Sequence, residues 1–233
     1  MPFARRSHER ELLESETLDP DDVRANLREL AMLNRLPGGA GASFAAIRHL
    51  TDIADMVTVV DVGTGGGDLP KTFVRRARDA GATWRITAIE SRAEVLEIAR
   101  RRLRNEAAVT VLEGDALALP LPNASVDVAH SSLLLHHLDD ADAVAALREM
   151  ARVSRRGVVV NDLVRGLLPY LVTWTTTMAL ARNRYTRNDG PLSARRAYTL
   201  AELDRLLADA GLRVAWRSST RLPRVATAAV TVV

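Results

Sequence analysis

The sequence predicts an α/β fold: a mostly parallel sheet with helices on both faces. Three observations predict it. The apolar run Val57–Val62 enters a glycine cluster, Gly63-Thr64-Gly65-Gly66-Gly67, and a helical pattern follows. From there, short β-branched runs alternate with amphipathic stretches, the signature of parallel strands joined by helices. Polar residues gather at or just past the ends of those runs, where open α/β sheets bind ligands. The chain has 233 residues, 47% of them hydrophobic, enough for one α/β domain with additions.

Residues 1–50 precede the first core strand and form a helical cap; the main domain runs from 51 to 233. Asp19-Pro20-Asp21-Asp22 reads as a helix start, with a cap, a first-turn proline and acids at the positive end of the dipole. Val23, Leu27, Leu30, Met32 and Leu33 form its stripe, Asn34–Gly39 ends it, and a second helix covers Ala42–Leu50. These helices either lie over a ligand cleft or simply pack on the sheet edge.

The glycine cluster has a physical role after the first strand. A sharp strand-to-helix turn needs residues that tolerate positive φ. A ligand lying against the backbone needs the missing Cβ, and the helix start offers free N–H groups. Leu69, Phe73, Ala77 and Ala80 line the next helix, which Gly81 stops. The second strand, Trp84–Ile89, ends at Glu90, placed to accept ribose hydroxyls; the bland alternative is a solvated acid. Ser91 and Glu94 read as a capping box. The third strand, Val109–Leu112, leads to Glu113-Gly114-Asp115-Ala116. The fourth, Val126–His130, leads to Ser131, His136 and His137, near any reacting centre.

A helix over Asp142–Val153 precedes the fifth strand, Gly157–Val160, whose end, Asn161-Asp162, sits where it can orient a substrate. Residues 163–198 are an insertion. Its stretch Leu163–Ala181 is apolar, but Arg165, Gly166, Pro169 and four threonines make a spanning helix a poor fit. A helical lid over an apolar pocket fits better, with peripheral membrane contact the minority reading. Asn188-Asp189-Gly190-Pro191 reads as a turn. Asp189, Arg195 and Arg196 either close on substrate or, more simply, are solvated. Thr199 and Glu202 cap the final helix, and Leu212–Trp216 with Val225–Val233 form a closing hairpin.

Composition excludes several classes. The formal charge is only +3, Lys71 is the one lysine, and no basic face is concentrated as nucleic-acid binding requires. There is no cysteine, hence no disulfide and no thiolate metal site. The N-terminus lacks a signal peptide's apolar run, which points to the cytoplasm. No metal is expected at His136-His137, because adjacent residues generally point apart and there is neither a nearby cysteine nor a clear carboxylate partner.

The glycine spacing also discriminates among nucleotides. The dinucleotide fingerprint G-x-G-x-x-G is met by Gly63 and Gly65, but its third position is Asp68. A carboxylate there repels a pyrophosphate and suits a ligand with a cationic centre. Asp61-Val62-Gly63-Thr64-Gly65-Gly66-Gly67 resembles the first motif of class I S-adenosylmethionine (SAM) dependent methyltransferases. The resemblance implies a Rossmann-like seven-stranded sheet in the order 3-2-1-4-5-7-6, with the last strand antiparallel. It implies SAM as cofactor, with its methionyl part on Asp61, Gly63, Thr64, Gly65, Gly67 and Asp68. The ribose then meets Glu90 and Ser91, and adenine meets Asp115 and the Ala116 N–H, with Ser131 and Arg35 near the ligand. Leu133–Leu138 resembles a Leu-His-His-Leu segment of small-molecule members, making His136 or His137 a base or an orienting group. The alternative is that such a histidine only ties down its loop. Asn161, Asp162 and Arg165 are the expected substrate contacts.

The Glu-Leu-Leu-Glu run at 11–14, Asn34-Arg35 and the insertion resemble a bacterial subgroup with members in polyketide-type routes. The expected reaction is O- or C-methylation of a phenol, quinone or polyketide-derived aromatic in secondary metabolism, by a monomer or homodimer. An NAD-dependent oxidoreductase and a non-catalytic SAM-binding domain are the alternatives.

Overall fold

A computed structural model describes residues 3–15, 18–51, 56–219 and 223–232. The expected last strand residue, Val233, lies outside them. In chain order the elements are α1 (Pro20–Leu33), α2 (Ala40–Leu50), β1 (Met56–Val62), α3 (Asp68–Asp79), β2 (Thr83–Glu90), α4 (Ala93–Leu103), β3 (Val109–Glu113) and β4 (Val126–Ser132). There follow α5 (Asp140–Val153), β5 (Ser154–Leu163), α6 (Leu167–Leu180), α7 (Arg184–Arg196), α8 (Leu200–Asp209), β6 (Leu212–Arg217) and β7 (Arg224–Thr231). Single 3₁₀ turns at Leu12–Glu14 and Leu135–His137 complete the list.

The seven strands stand in the order β3-β2-β1-β4-β5-β7-β6. β7 runs antiparallel to both neighbours and the other pairs are parallel, as expected. Side chains alternate along each strand. Val57 and Val59 face Phe44 and Ile47 of α2 and Phe73 of α3. Val60 and Val62 face Leu147 and Met150 of α5 and Leu206 and Leu207 of α8. Both faces are covered, which is why the central strands read as nearly continuous apolar runs.

Three local expectations change. Ser91 and Glu94 form no capping box: Arg92 is the N-cap of α4, without a side-chain cap bond. Instead the Glu90 carboxylate accepts the Ser91 and Arg92 N–H groups, at 3.1 and 3.1 Å. Asn188–Pro191 is no turn but the middle of α7, because the Asn183 cap starts the helix upstream and carries it through Pro191. The insertion is two packed helices, α6 and α7, and α7 lies against α1. No helix among the described residues is long and apolar enough to cross a membrane. α6 nevertheless presents Leu167, Leu168, Leu171 and Trp174 outward.

Candidate active site

The glycine loop sits between β1 and α3. Gly63, Gly65 and Gly67 have φ of +68°, +55° and +72°, a region costly for residues with a Cβ. At Gly67 a Cβ would stand 2.7 Å from Leu103 Cδ1. Asp61 is buried beneath the loop. Its carboxylate accepts the Thr64 hydroxyl at 2.6 Å and meets His130 Nδ1 at 2.6 Å. His130 Nε2 reaches Ser43 of α2 at 2.9 Å, and Ser43 Oγ accepts from Asn161 Nδ2 at 2.8 Å. Asp61 therefore shapes the loop from below and does not face the cleft.

Glu90 closes the end of β2, and its other carboxylate oxygen accepts the Gly65 N–H at 2.9 Å. A carboxylate aimed at the glycine loop from the neighbouring strand suits a vicinal diol. Asp115 is exposed and caps its own turn through the Leu117 N–H at 2.9 Å, with Ala116 beside it. Ser131 is buried and its Oγ has no partner. Asp68 heads α3. Burial pushes its carboxyl above the usual range, while the Asn34 amide donates to it at 3.0 Å. Positive-φ glycines, an acid at the diol position and Asp68 at the head of α3 suit an adenosyl sulfonium, and the Arg102 guanidinium packs behind Gly66. Arg35 stands apart: it is exposed and lines an outer groove with Arg28, Lys71 and Arg75.

The neighbouring region is built from side chains. A cavity of about 170 Å³ opens between α1, α6, α7 and the 3₁₀ turn at 135–137. Leu30, Leu33, Leu36, Leu133 and Leu163 give it apolar walls. The hydroxyls of Thr173 and Thr177 bond back to helix carbonyls at 2.9 and 2.9 Å, so these residues add no free polar group. Glu11, His136 and His137 make its polar end. Leu133 holds the unusual φ of +55° where β4 turns into this wall, a backbone strain typical of functional sites.

His136 is buried and held by Asp162. The Asp162 carboxylate meets ring Nδ1 at 2.7 Å and accepts the backbone N–H at 3.2 Å. Burial works against that carboxylate's charge, but His136 and the Leu163 N–H hold its pKa below the usual range. An ionised carboxylate only accepts, so Nδ1 carries a proton and Nε2 is the ring nitrogen that faces the cavity end. Nε2 lies 3.8 Å from Glu11. A base oriented by a third group, at the wall of a pocket, is the arrangement acid–base chemistry needs.

His137 is half-buried and its Nδ1 meets Glu14 at 2.7 Å. Burial opposes the Glu14 charge, yet hydrogen bonds from His137 and Arg196 pull its pKa down to about 2. Glu11 is buried more deeply, and that burial pushes its pKa up despite His137 and the Ser193 hydroxyl. The ground for expecting no metal fails here. The two imidazoles lie 4.2 Å apart, and Glu11 is brought to both from 125 residues upstream.

The segment 3–15 is a strap across the strand ends. Arg6 donates to the carbonyls of His136 and Leu138 at 3.2 and 2.9 Å. The Asp189 carboxylate accepts the N–H groups of Leu12 and Leu13 at 2.9 and 3.0 Å, and Arg92 donates to the Leu13 carbonyl. Asp189 and Arg196 are thus buried structural ties and not solvated charges, whereas Arg195 is the more exposed of the group.

Two of the expected substrate contacts bond to the protein itself. Asn161 is fully buried on the α2 side, donating to the carbonyls of Gly38 and Gly39 at 2.9 and 3.1 Å. Arg165 donates to the Phe3 and Ala197 carbonyls and to Glu202, at 3.1, 2.7 and 2.6 Å. Asp162 acts through His136. Sequence reasoning missed Glu11, Glu14, His130 and Arg224. Arg224 donates to Asn34, Asn161 and Ser132 at 2.6, 3.2 and 2.7 Å, and burial pulls its pKa down to about 10.

Comparison with known proteins agrees with this geometry. The family profile described as "Methyltransferase domain" matches residues 59–157, which span the glycine loop, Glu90, Asp115 and the histidine pair. Residues 59–157 are a methyltransferase domain of the class I SAM-dependent kind. It is 34% identical over 158 residues to an uncharacterized 37.1 kDa protein in transposon TN4556 of Streptomyces fradiae, covering 67% of this chain and 44% of that one. It is 37% identical over 100 residues to the ubiquinone/menaquinone biosynthesis C-methyltransferase UbiE of Burkholderia vietnamiensis, covering 42% and 39%. In both comparisons the match spans less than half the length of the relative. The fold of this methyltransferase chain is also that of a SAM-dependent methyltransferase from Aquifex aeolicus. There the TM-score is 0.66 at 19% identity, covering 93% of this chain and 100% of that one.

Proposed function

We propose that this protein transfers a methyl group from SAM to a small, largely apolar acceptor. The acceptor is a phenol, quinol or polyketide-derived aromatic of bacterial secondary metabolism. The observation that carries this reading is the Asp162-held His136 at the polar end of an otherwise apolar cavity of about 170 Å³. An apolar cavity of ~150 Å³ takes up benzene, so this one suits a single ring. The quinone-related name of the Burkholderia relative is consistent with such an acceptor.

When bound, SAM supplies a methyl on a positive sulfonium, ready for in-line transfer. The protein's work is then mostly positioning. Gly63, Gly65 and Gly67 let the methionyl part lie on the backbone, and Glu90 takes the ribose hydroxyls. The leucine walls exclude water and align the acceptor ring. A phenol ionises near pH ~10, so transfer at neutral pH gains from a base at its oxygen. His136 Nε2 accepts that proton, while Asp162 keeps the ring in the required tautomer. For a carbon acceptor, the same proton transfer raises the electron density of the ring.

The test pairs binding with chemistry. SAM and NAD are titrated calorimetrically into the full chain, which is then incubated with SAM and a panel of phenols, quinols and polyketide aromatics. SAM binding, no NAD binding, and a mass gain of one methylene unit in a panel member are expected. Absence of SAM binding, or SAM binding without any methylated product, overturns the reading.

A further inference from the structure

We propose that Glu11, His136 and His137 form a divalent-cation site at the polar end of the acceptor cavity, suited to first-row transition ions such as Zn²⁺ and Co²⁺. One ligand atom from each residue lies within 4.8 Å of the others. Glu11 is 3.8 Å from His136 Nε2 through one oxygen and 3.9 Å from His137 Nδ1 through the other. Two imidazoles and one carboxylate, with remaining positions open to a cavity, are a donor set these ions favour.

An independent observation prepares the site. The bond from His136 Nδ1 to Asp162, at 2.7 Å, leaves the Nε2 lone pair directed away from Asp162. Such a carboxylate behind the far ring nitrogen is the usual support of a metal-bound histidine. On the other side, the Ser193 hydroxyl donates to Glu11 at 2.7 Å and orients that carboxylate. Arg196 is paired with Glu14 at 2.7 Å, and Glu11 is the carboxylate that faces both rings.

At metal–ligand bonds of ~2.1 Å, neighbouring donor atoms stand roughly 3.0–3.4 Å apart. Glu11 therefore closes on each ring by about an ångström or less, and the two rings' ligand nitrogens by at most ~1.8 Å. The bond between His137 Nδ1 and Glu14 must give way when that nitrogen ligates. A bound cation also takes the His136 lone pair that methyl transfer needs for the acceptor proton. Turnover falls as the site fills.

The test uses the tag-free full chain and Co²⁺ alone. Calorimetry and visible absorption are expected to give saturable binding of one ion per chain and ligand-field bands. Glu11→Gln and His137→Gln are each expected to weaken binding by about tenfold or more. Both variants should melt within about 2 °C of wild type without metal, which separates lost ligation from lost folding. No saturable binding to the wild type, or equal binding by both folded variants, overturns the site. Methylation by metal-free protein is measured separately. Methylation without cobalt binding defeats the cation site alone, and cobalt binding without methylation defeats the proposed function alone.

Discussion

The two halves of the site are made differently. The cofactor side is local and largely backbone: three glycines within five residues, and one acid on the adjacent strand that accepts the N–H of the middle one. The acceptor side is side-chain chemistry drawn from both ends of the chain. The strap supplies Glu11 and Glu14, β5 supplies Asp162, and α7 supplies Asp189 and Arg196. A backbone cradle tolerates change in what surrounds it. A constellation of distant side chains varies with each piece, which is how one fold serves many acceptors.

The division can be broken at its strongest point by His136→Ala. Removing a positioned base lowers kcat by about 10²–10⁴-fold, with SAM affinity unchanged. Rapid-quench turnover beside calorimetry checks this, and equal loss of both would erase the boundary between the halves. Next, Glu90→Ala removes charge-assisted hydrogen bonds worth about 1.5–3 kcal/mol. SAM affinity should fall by roughly ten- to a hundredfold, with kcat at saturating SAM little changed.

Arg224 spans the boundary. Arg224→Met leaves Asn34, Asn161 and Ser132 without their donor, and chemical denaturation should show a loss of about 1–3 kcal/mol. The smallest effect concerns pH. Glu14 has its pKa lowered from 4.5 to about 2 in the folded chain, so its contribution is present above pH 4.5 and disappears as pH falls toward 2. Hydrogen exchange at Leu12 and Leu13 should lose protection across that window while the strands of the sheet keep theirs.

These halves also differed in how readable they were. The glycine loop, Glu90 and the sheet order follow from local patterns, because strand, turn and helix start are consecutive in the chain. The histidine pair was visible, but the choice between its members was not. It depends on Asp162, 26 residues on, and on Glu14, 123 residues back. Asn161 and Asp162 illustrate the limit well. Adjacent strand residues point to opposite faces, so Asn161 reaches the α1–α2 junction while Asp162 reaches His136. Asp189 was misread as a turn residue because the Asp-Gly-Pro signal is local, and the Asn183 cap with tertiary packing overrides it. The spacing of Glu11 and Glu14, one helical turn apart in an otherwise uneventful stretch, was the only hint of the strap.

The strap also bears on how the protein is made. Leu12 and Leu13 find their acceptor 177 and 176 residues later, and Asn34 meets Arg224 after 190. At ribosomal speeds of ~5–20 residues per second, roughly ten to forty seconds separate their synthesis. The strap thus leaves the exit tunnel well before the residues that hold it, and a nascent chain has its nucleotide cradle before it has a closed acceptor pocket.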